Sequence, residues 1–390
     1  MSPIDFPPFL LFFVAALLTP FLRGWARAGL VLLVPVIGGL SLIGLEAGSF
    51  GQVSVLGYTL TLMRVDKLSL LFGYLFHLAS FLSFLFAIHL KKEDGAALQH
   101  TAALVYAGSA LGAVFAGDFI TLFIFWEILA LSSVFLIWAR KSDRSLATGV
   151  RYLVINVVSG VLLLAGALAH AHETGSIAFD YVGLDGLASW LILLSFGIKA
   201  GFPLLHNWLV DAYPEATPTG TVFLSAFTTK VAVYALARGF PGTDLLIWVG
   251  VAMTAFPIFY AVIENDLRRV LSYSMINQIG FMVVGIGLGT ALSINGAVAH
   301  AFNDVIFKGL LMMSMGAVLY RTGKINGTDL GGLYKSMPLT ATFSLVGAAS
   351  ISAFPLFSGF VSKSMVMAAS LEEGHMWVWV FLLFASAGVV

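Results

Sequence analysis

Apolar residues in this chain come in blocks of about 20, separated by short polar or basic intervals. A helix rises about 1.5 Å per residue, so a block of that length crosses a ~30 Å hydrocarbon core. Spans are predicted near 6–22, 28–47, 68–90, 99–116, 119–139, 147–171, 187–210, 217–239, 245–263, 269–289, 293–320 and 338–370. A further run starts at Trp377 and reaches Val390, too short to cross, which points to a last region cut short. The first run follows Asp5 and not a basic cluster, and it shows no convincing small-residue cleavage site. It reads as a retained span. The pattern predicts an all-α polytopic membrane protein.

The intervals are asymmetric in charge. Those after odd-numbered spans hold Arg23, Arg27, Lys91, Lys92, Arg140, Lys141, Arg144, Arg151, Arg268, Arg269, Arg321, Lys324 and Lys335. Those after even-numbered spans hold Arg64, Lys67 and Arg238. Basic loops stay in the cytoplasm, so the odd intervals face inward and the amino terminus outward. Asp118 is expected to cap a helix, and Asp266, Arg268 and Arg269 to form a solvated turn and anchor at an interface.

The apolar pattern also repeats internally. GFPLLHNW (201–208) and AFPLFSGF (353–360) place Phe-Pro-Leu inside long apolar segments, 152 residues apart. Proline removes a backbone donor and opens a helix, which is tolerated in a membrane where other groups satisfy the freed carbonyl. Matched interruptions in two halves point to a transport site; a single kink could equally be a packing device.

Composition agrees with lipid as the solvent. Of 390 residues 59% are hydrophobic and 10% charged, with a mean hydropathy of +0.97. A soluble domain carries closer to a quarter charged residues. Zero formal net charge argues against nucleic acid as a partner. The absence of Cys removes thiolate and disulfide chemistry. No zinc spacing, phosphate loop or nucleophile–base pattern appears, and GIGLG (285–289) does not complete a dinucleotide motif. No cofactor or metal is expected.

Against that apolar background a few charges are out of place, each costing on the order of 2.5–3.5 kcal/mol at mid-bilayer. Glu127 lies too deep in its span to be a cap. Lys199 sits four residues before Pro203, Lys230 is central in its span, and Lys363 follows the second interruption. His300, Asp304 and Lys308 are spaced i, i+4, i+8, one stripe of a helix. Each has a plain structural reading: a hydrogen-bonded packing carboxylate, a snorkelling anchor, a stripe that bonds a neighbouring helix. Taken together they favour a path for protons or other cations. A buried Lys whose carboxylate partner moves near and far can take up and release a proton. His206 and Asp211 flank the first interruption, where a loop role is as good a reading.

The strings FWEILALSSVFLI, FGIKAGFPLLHNWLVDAYPEATPTGTVFLSAFTTKVAVYALAR, DLRRVLSYSMINQIG, HAFNDVIFKGLL and PLFSGFVSK resemble the antiporter-like membrane subunits shared by Mrp-type Na+/H+ antiporters and respiratory complex I. The ending TTKVAVYALAR looks most like the D-type component of the Mrp group. The resemblance implies about 13–14 helices with two inverted five-helix repeats, each containing a broken helix. It divides the chain into an N-terminal three-helix region (1–98), a first repeat (99–240) broken near Pro203 and a second (241–390) broken near Pro355. It implies a proton relay of Glu127, Lys199, Lys230, His300, Asp304, Lys308 and Lys363, with Glu127 modulating Lys199, Lys230 bridging and Lys363 terminal. At Asp304 the chain departs from many relatives, which carry His. The expected setting is a hetero-oligomeric complex in a bacterial inner membrane, handling H+ and Na+. The alternatives are a proton-pumping subunit of a redox-driven complex, NADH–quinone oxidoreductase or membrane hydrogenase, and a non-conducting structural subunit.

Overall fold

Inside a bilayer every backbone N–H and C=O must find its partner within the protein, so long apolar blocks become helices. The computed structural model describes residues 7–55, 57–92 and 95–387. The expected start of the first span at Phe6 and the end of the last run at Val390 lie outside them. In chain order the elements are α1 (Pro8–Leu18), α2 (Gly24–Ser41), β1 (Gly48–Val55), β2 (Tyr58–Val65), α3 (Lys67–Phe86), α4 (Ala96–Phe115), α5 (Phe119–Trp138) and α6 (Asp143–Thr174). They continue with α7 (Leu187–Ala200), α8 (Asn207–Ala212), α9 (Pro218–Ala226), α10 (Thr228–Gly239), α11 (Asp244–Ile263), α12 (Leu267–Leu288) and α13 (Ala291–Thr322). The last are α14 (Leu333–Ser336), α15 (Pro338–Ile351), α16 (Ser358–Glu372) and α17 (Met376–Ala387). Among the described residues eight helical stretches are long and apolar enough to cross a membrane, and four shorter apolar ones accompany them. The fold is mostly helical and polytopic.

Three features depart from the expected spans. The interval 48–65, read as a plain loop, is an antiparallel hairpin with Val55 opposite Tyr58 and Gly48 opposite Val65. Gly57 turns it with a φ of 86°, a conformation open to glycine at little steric cost. Leu60, Met63 and Val65 face inward, and Asp118 accepts from the Thr61 amide (2.7 Å) while capping α5 through Thr121 N–H (2.7 Å). The span 217–239 is not one helix but α9 and α10, interrupted at Phe227 (φ −111°, ψ −66°). Arg268, expected as a surface anchor, is 1% exposed. Its guanidinium donates to the carbonyls of Tyr213 (3.2 Å) and Ala216 (2.8 Å) and to the Thr221 hydroxyl. All of these bonds come from Nη2 while Nη1 has no partner, so one end of the guanidinium clamps the turn between α8 and α9.

The loops bond to one another in two separate groups. In one, Arg238 and Arg64 meet Asp66 and Asp180, and Val182 N–H bonds to the Gly239 carbonyl (2.8 Å). In the other, Arg140 and Arg144 hold Glu215, and Gly327 N–H bonds to the Asn265 carbonyl (2.9 Å).

The two Phe-Pro-Leu segments break their helices in the same shape. In the first, Gly201 (φ 78°) and Leu204 (φ 70°) bracket Phe202-Pro203; in the second, Ala353 (φ 56°) and Leu356 (φ 77°) bracket Phe354-Pro355. Left-handed backbone at a residue with a Cβ costs roughly 1–2 kcal/mol. Both breaks thus share one backbone construction. The α9–α10 rod is fully buried among its neighbours, so the lysine it carries stands at the centre of the bundle.

Candidate functional site

Lys199 ends α7 one residue before the first break and is fully buried. Its Nζ donates to the Trp126 carbonyl at 2.6 Å and lies 4.6 Å from the centre of that indole. The indole N–H of Trp126 in turn donates to Ser159 Oγ (2.9 Å), whose hydroxyl donates to the Ser195 carbonyl (2.8 Å). One residue of α5 thus ties α6 and α7 together around the lysine. Glu127, the next residue, is half-buried and packs over Gly160 of α6, where only a hydrogen fits. Its Oε1 is buried without a hydrogen-bond partner. Glu127 and Lys199 are neighbours, but no ion pair within 4.0 Å joins them.

Lys230 follows the Phe227 interruption. Its Nζ donates to the Ser225 carbonyl (3.1 Å), which the interruption leaves outside regular helix geometry, and pairs with Asp304 Oδ2 at 2.6 Å. Both side chains are 0% exposed. The pair joins α10 to α13. Lys363 repeats the device at the second break: its Nζ donates to the Ile351 carbonyl at the end of α15 (2.7 Å) and lies 4.7 Å from the Phe281 ring centre. Lysines at interrupted helices satisfy the carbonyls that the interruptions release.

The stripe on α13 is buried along its length, yet its three members turn to different partners. His300 Nε2 meets Gln278 Oε1 (3.1 Å) and Nδ1 meets Ser362 Oγ (2.9 Å). Gln278 donates its amide N–H to Asn277 Oδ1 (2.6 Å), so the network places the imidazole proton on Nε2. Asp304 takes Lys230. Lys308 Nζ donates to Ser274 Oγ (2.6 Å). The stripe is thereby joined into a cluster through α10, α12 and α16.

Several polar groups near this line were not singled out by sequence. Tyr106 Oη is 2.6 Å from Thr228 Oγ1, and Ser133 Oγ is 2.7 Å from Tyr152 Oη. Tyr213 Oη and Asn156 Oδ1 are buried without partners. These side chains come from α4, α5, α6, α10 and the turn after α8. A hydroxyl in an apolar run usually bonds its own helix, so periodicity gives no signal for this convergence. His206 packs on Phe256 with ring centres 4.7 Å apart, and Asp211 pairs loosely with Arg151 (4.0 Å) at the surface. Neither joins the buried line. Among the described residues no group of three metal-ligating side chains is assembled.

Residues 116–387 match the family described as NADH:quinone oxidoreductase/Mrp antiporter, TM. The chain belongs to this family. The match begins just before α5 and covers all seven residues of the buried line, so the family's membrane region and the line are the same part of the molecule. Among curated proteins the chain is 32% identical over 340 residues to the A/B component of a probable K(+)/H(+) antiporter of Rhizobium meliloti (strain 1021), an alignment that covers 82% of this chain and 34% of that protein. It is 31% identical over 285 residues to the D component of the Na(+)/H(+) antiporter of Alkalihalophilus pseudofirmus, covering 68% of this chain and 58% of that protein. The chain therefore spans about a third to three fifths of the length of these two relatives. In fold, a chain in the structure of the Mrp complex from Dietzia sp. DQ12-45-1b superposes with a TM-score of 0.88 at 24% identity, over 100% of this chain and 78% of that one.

Proposed function

We propose that this chain is a proton-translocating membrane subunit of a multi-subunit monovalent cation/proton antiporter, and that Glu127, Lys199, Lys230, His300, Asp304, Lys308 and Lys363 relay the proton. The observation that carries the reading is that four lysines are buried in the helix bundle, each bonded to a carbonyl or hydroxyl and three of them beside interrupted helices. A structural subunit gains nothing from such residues, since each ammonium burial is unfavourable by several kcal/mol in magnitude. A relay requires them. In the proposed sequence, Lys199 takes or yields its proton as Glu127 approaches or withdraws, and the charge passes through Lys230 and the α13 cluster to Lys363. A membrane potential of 100 mV supplies about 2.3 kcal/mol per charge, comparable to the burial cost of one group.

The same reading assigns residues 99–240 and 241–390 to two inverted repeats around the breaks at Pro203 and Pro355. It sets the chain in a bacterial inner membrane, with the basic loops cytoplasmic and the amino terminus outside. Other subunits would complete the complex, and Na+ is the proposed counter-transported ion. A redox-driven complex is the second reading, favoured by the family description, which names NADH:quinone oxidoreductase beside the Mrp antiporters. The test is cation-dependent proton flux in membrane vesicles containing the assembled complex. Glu127→Ala and Lys199→Ala should each abolish flux while the complex still assembles; flux at the unaltered level in both would end the assignment. The proteins that co-purify with the chain separate the antiporter from the redox reading.

A further inference from the structure

Charge is unevenly supplied at the centre of the bundle. Lys230, Lys308, Lys363 and His300 crowd around Asp304, which is the only carboxylate 0% exposed among the described residues. Three ammonium groups cannot share one carboxylate in a dry interior, because each uncompensated charge there is strongly disfavoured. One full positive charge can be balanced at a time. Lys230 pairs with the carboxylate at Oδ2 (2.6 Å), but neither of its two buried oxygens accepts a hydrogen bond of regular geometry.

The basic groups of the cluster differ in how tied they are. His300 has both ring nitrogens engaged, by Gln278 and Ser362, and Lys363 is held at the Ile351 carbonyl beneath the Phe281 ring. Lys308 stands one turn beyond Asp304 on α13, the spacing and order in which an acid followed by a base at i+4 pair well. Its Nζ is turned to neutral groups, the Ser274 hydroxyl (2.6 Å) and the Leu271 carbonyl (3.4 Å). A lysine reaches either side by rotating about its flexible stem, with no movement of backbone. A hydroxyl suits both of its protonation states, since Ser274 accepts from an ammonium and donates to an amine.

We propose that Asp304 is an exchanging counter-ion, shared between Lys230 and Lys308, and that its change of partner is the step that passes charge from the first half of the chain to the second. This rests on the relay reading above. In the step one N–H bond breaks at Lys230 Nζ and one forms at Lys308 Nζ. Asp304 is a carboxylate before and after, so one ammonium and one carboxylate are present throughout. Where the cluster instead had a neutral group at position 304, the two halves could communicate only through solvent, with no fixed charge to decide which lysine is protonated.

The test is a double-mutant cycle on thermal stability of the purified complex, with flux measured in parallel. If Asp304 can turn to Lys308, Lys230→Met leaves it with a partner, and both Lys230→Met and Lys308→Met lower the melting temperature little. Lys230→Met/Lys308→Met then orphans the carboxylate, and the loss greatly exceeds the sum of the single losses. Failure of only the double variant to assemble is the same result in stronger form. If the pair is static, Lys230→Met alone carries the full loss or fails to assemble, and Lys308→Met adds to it independently. Either of those outcomes overturns the proposal. Failure of the relay reading is seen separately, as flux that survives Lys199→Ala whatever the cycle shows.

Discussion

Gly160 is the position at which the proposed role of Glu127 can be tested without touching a charge. A Cβ built there overlaps Glu127 Oε1 and comes within 2.5 Å of the carboxyl carbon and 3.2 Å of Cγ. Carbon atoms rest at roughly 3.5–4.0 Å, so Gly160→Ala must push the carboxyl group back by about 1 Å or more. The side chain is flexible and half-buried, so it can give way. Turning it off its preferred rotamer costs about 0.5–1.5 kcal/mol, and alanine is the better helix former by up to about 1 kcal/mol. Stability should therefore change little, with a melting temperature shifted by no more than about 2–4 °C. Function should change far more. Misplacing a reacting group by about 1 Å can cost on the order of a hundredfold in rate, so proton flux in vesicles should fall at least about tenfold. Assembly of the complex, checked by co-purification, should be unaffected. Unaltered flux in Gly160→Ala, alongside inactive Glu127→Ala, would refute the claim that the carboxyl's seat against α6 sets its distance from the Lys199 site.

The remaining expectations concern the supports of the line. Trp126→Phe removes the indole donor to Ser159 and weakens the ring beneath Lys199; it should cost about 1 kcal/mol and reduce flux, measured by thermal unfolding and vesicle assay. Arg268→Ala strips the clamp from the Tyr213, Ala216 and Thr221 acceptors. It should lower stability by about 1.5–3 kcal/mol, read as a fall in melting temperature, because buried acceptors lose a charged donor. Leu356→Val places a β-branched residue at a φ of 77° and should destabilise by at least about 1–2 kcal/mol, whereas Leu356→Gly should be tolerated in the same unfolding measurement.

Most of the membrane topology was legible in the order of residues, because a bilayer leaves few choices. Apolar blocks of spanning length must be helices, as most of these are. The repeated Phe-Pro-Leu told of two breaks, and the misplaced charges told which residues were out of keeping with lipid. Tertiary structure alone decided what those charges meet. His300, Asp304 and Lys308 share a helical stripe by spacing, yet their partners lie on α12, α16 and α10, tens of residues away along the chain. The hairpin at 48–65, the interruption at Phe227 and the burial of Arg268 escaped for the same reason. Periodicity reports which side of an element is apolar; it carries no record of which distant carbonyl, hydroxyl or carboxylate will be packed against it.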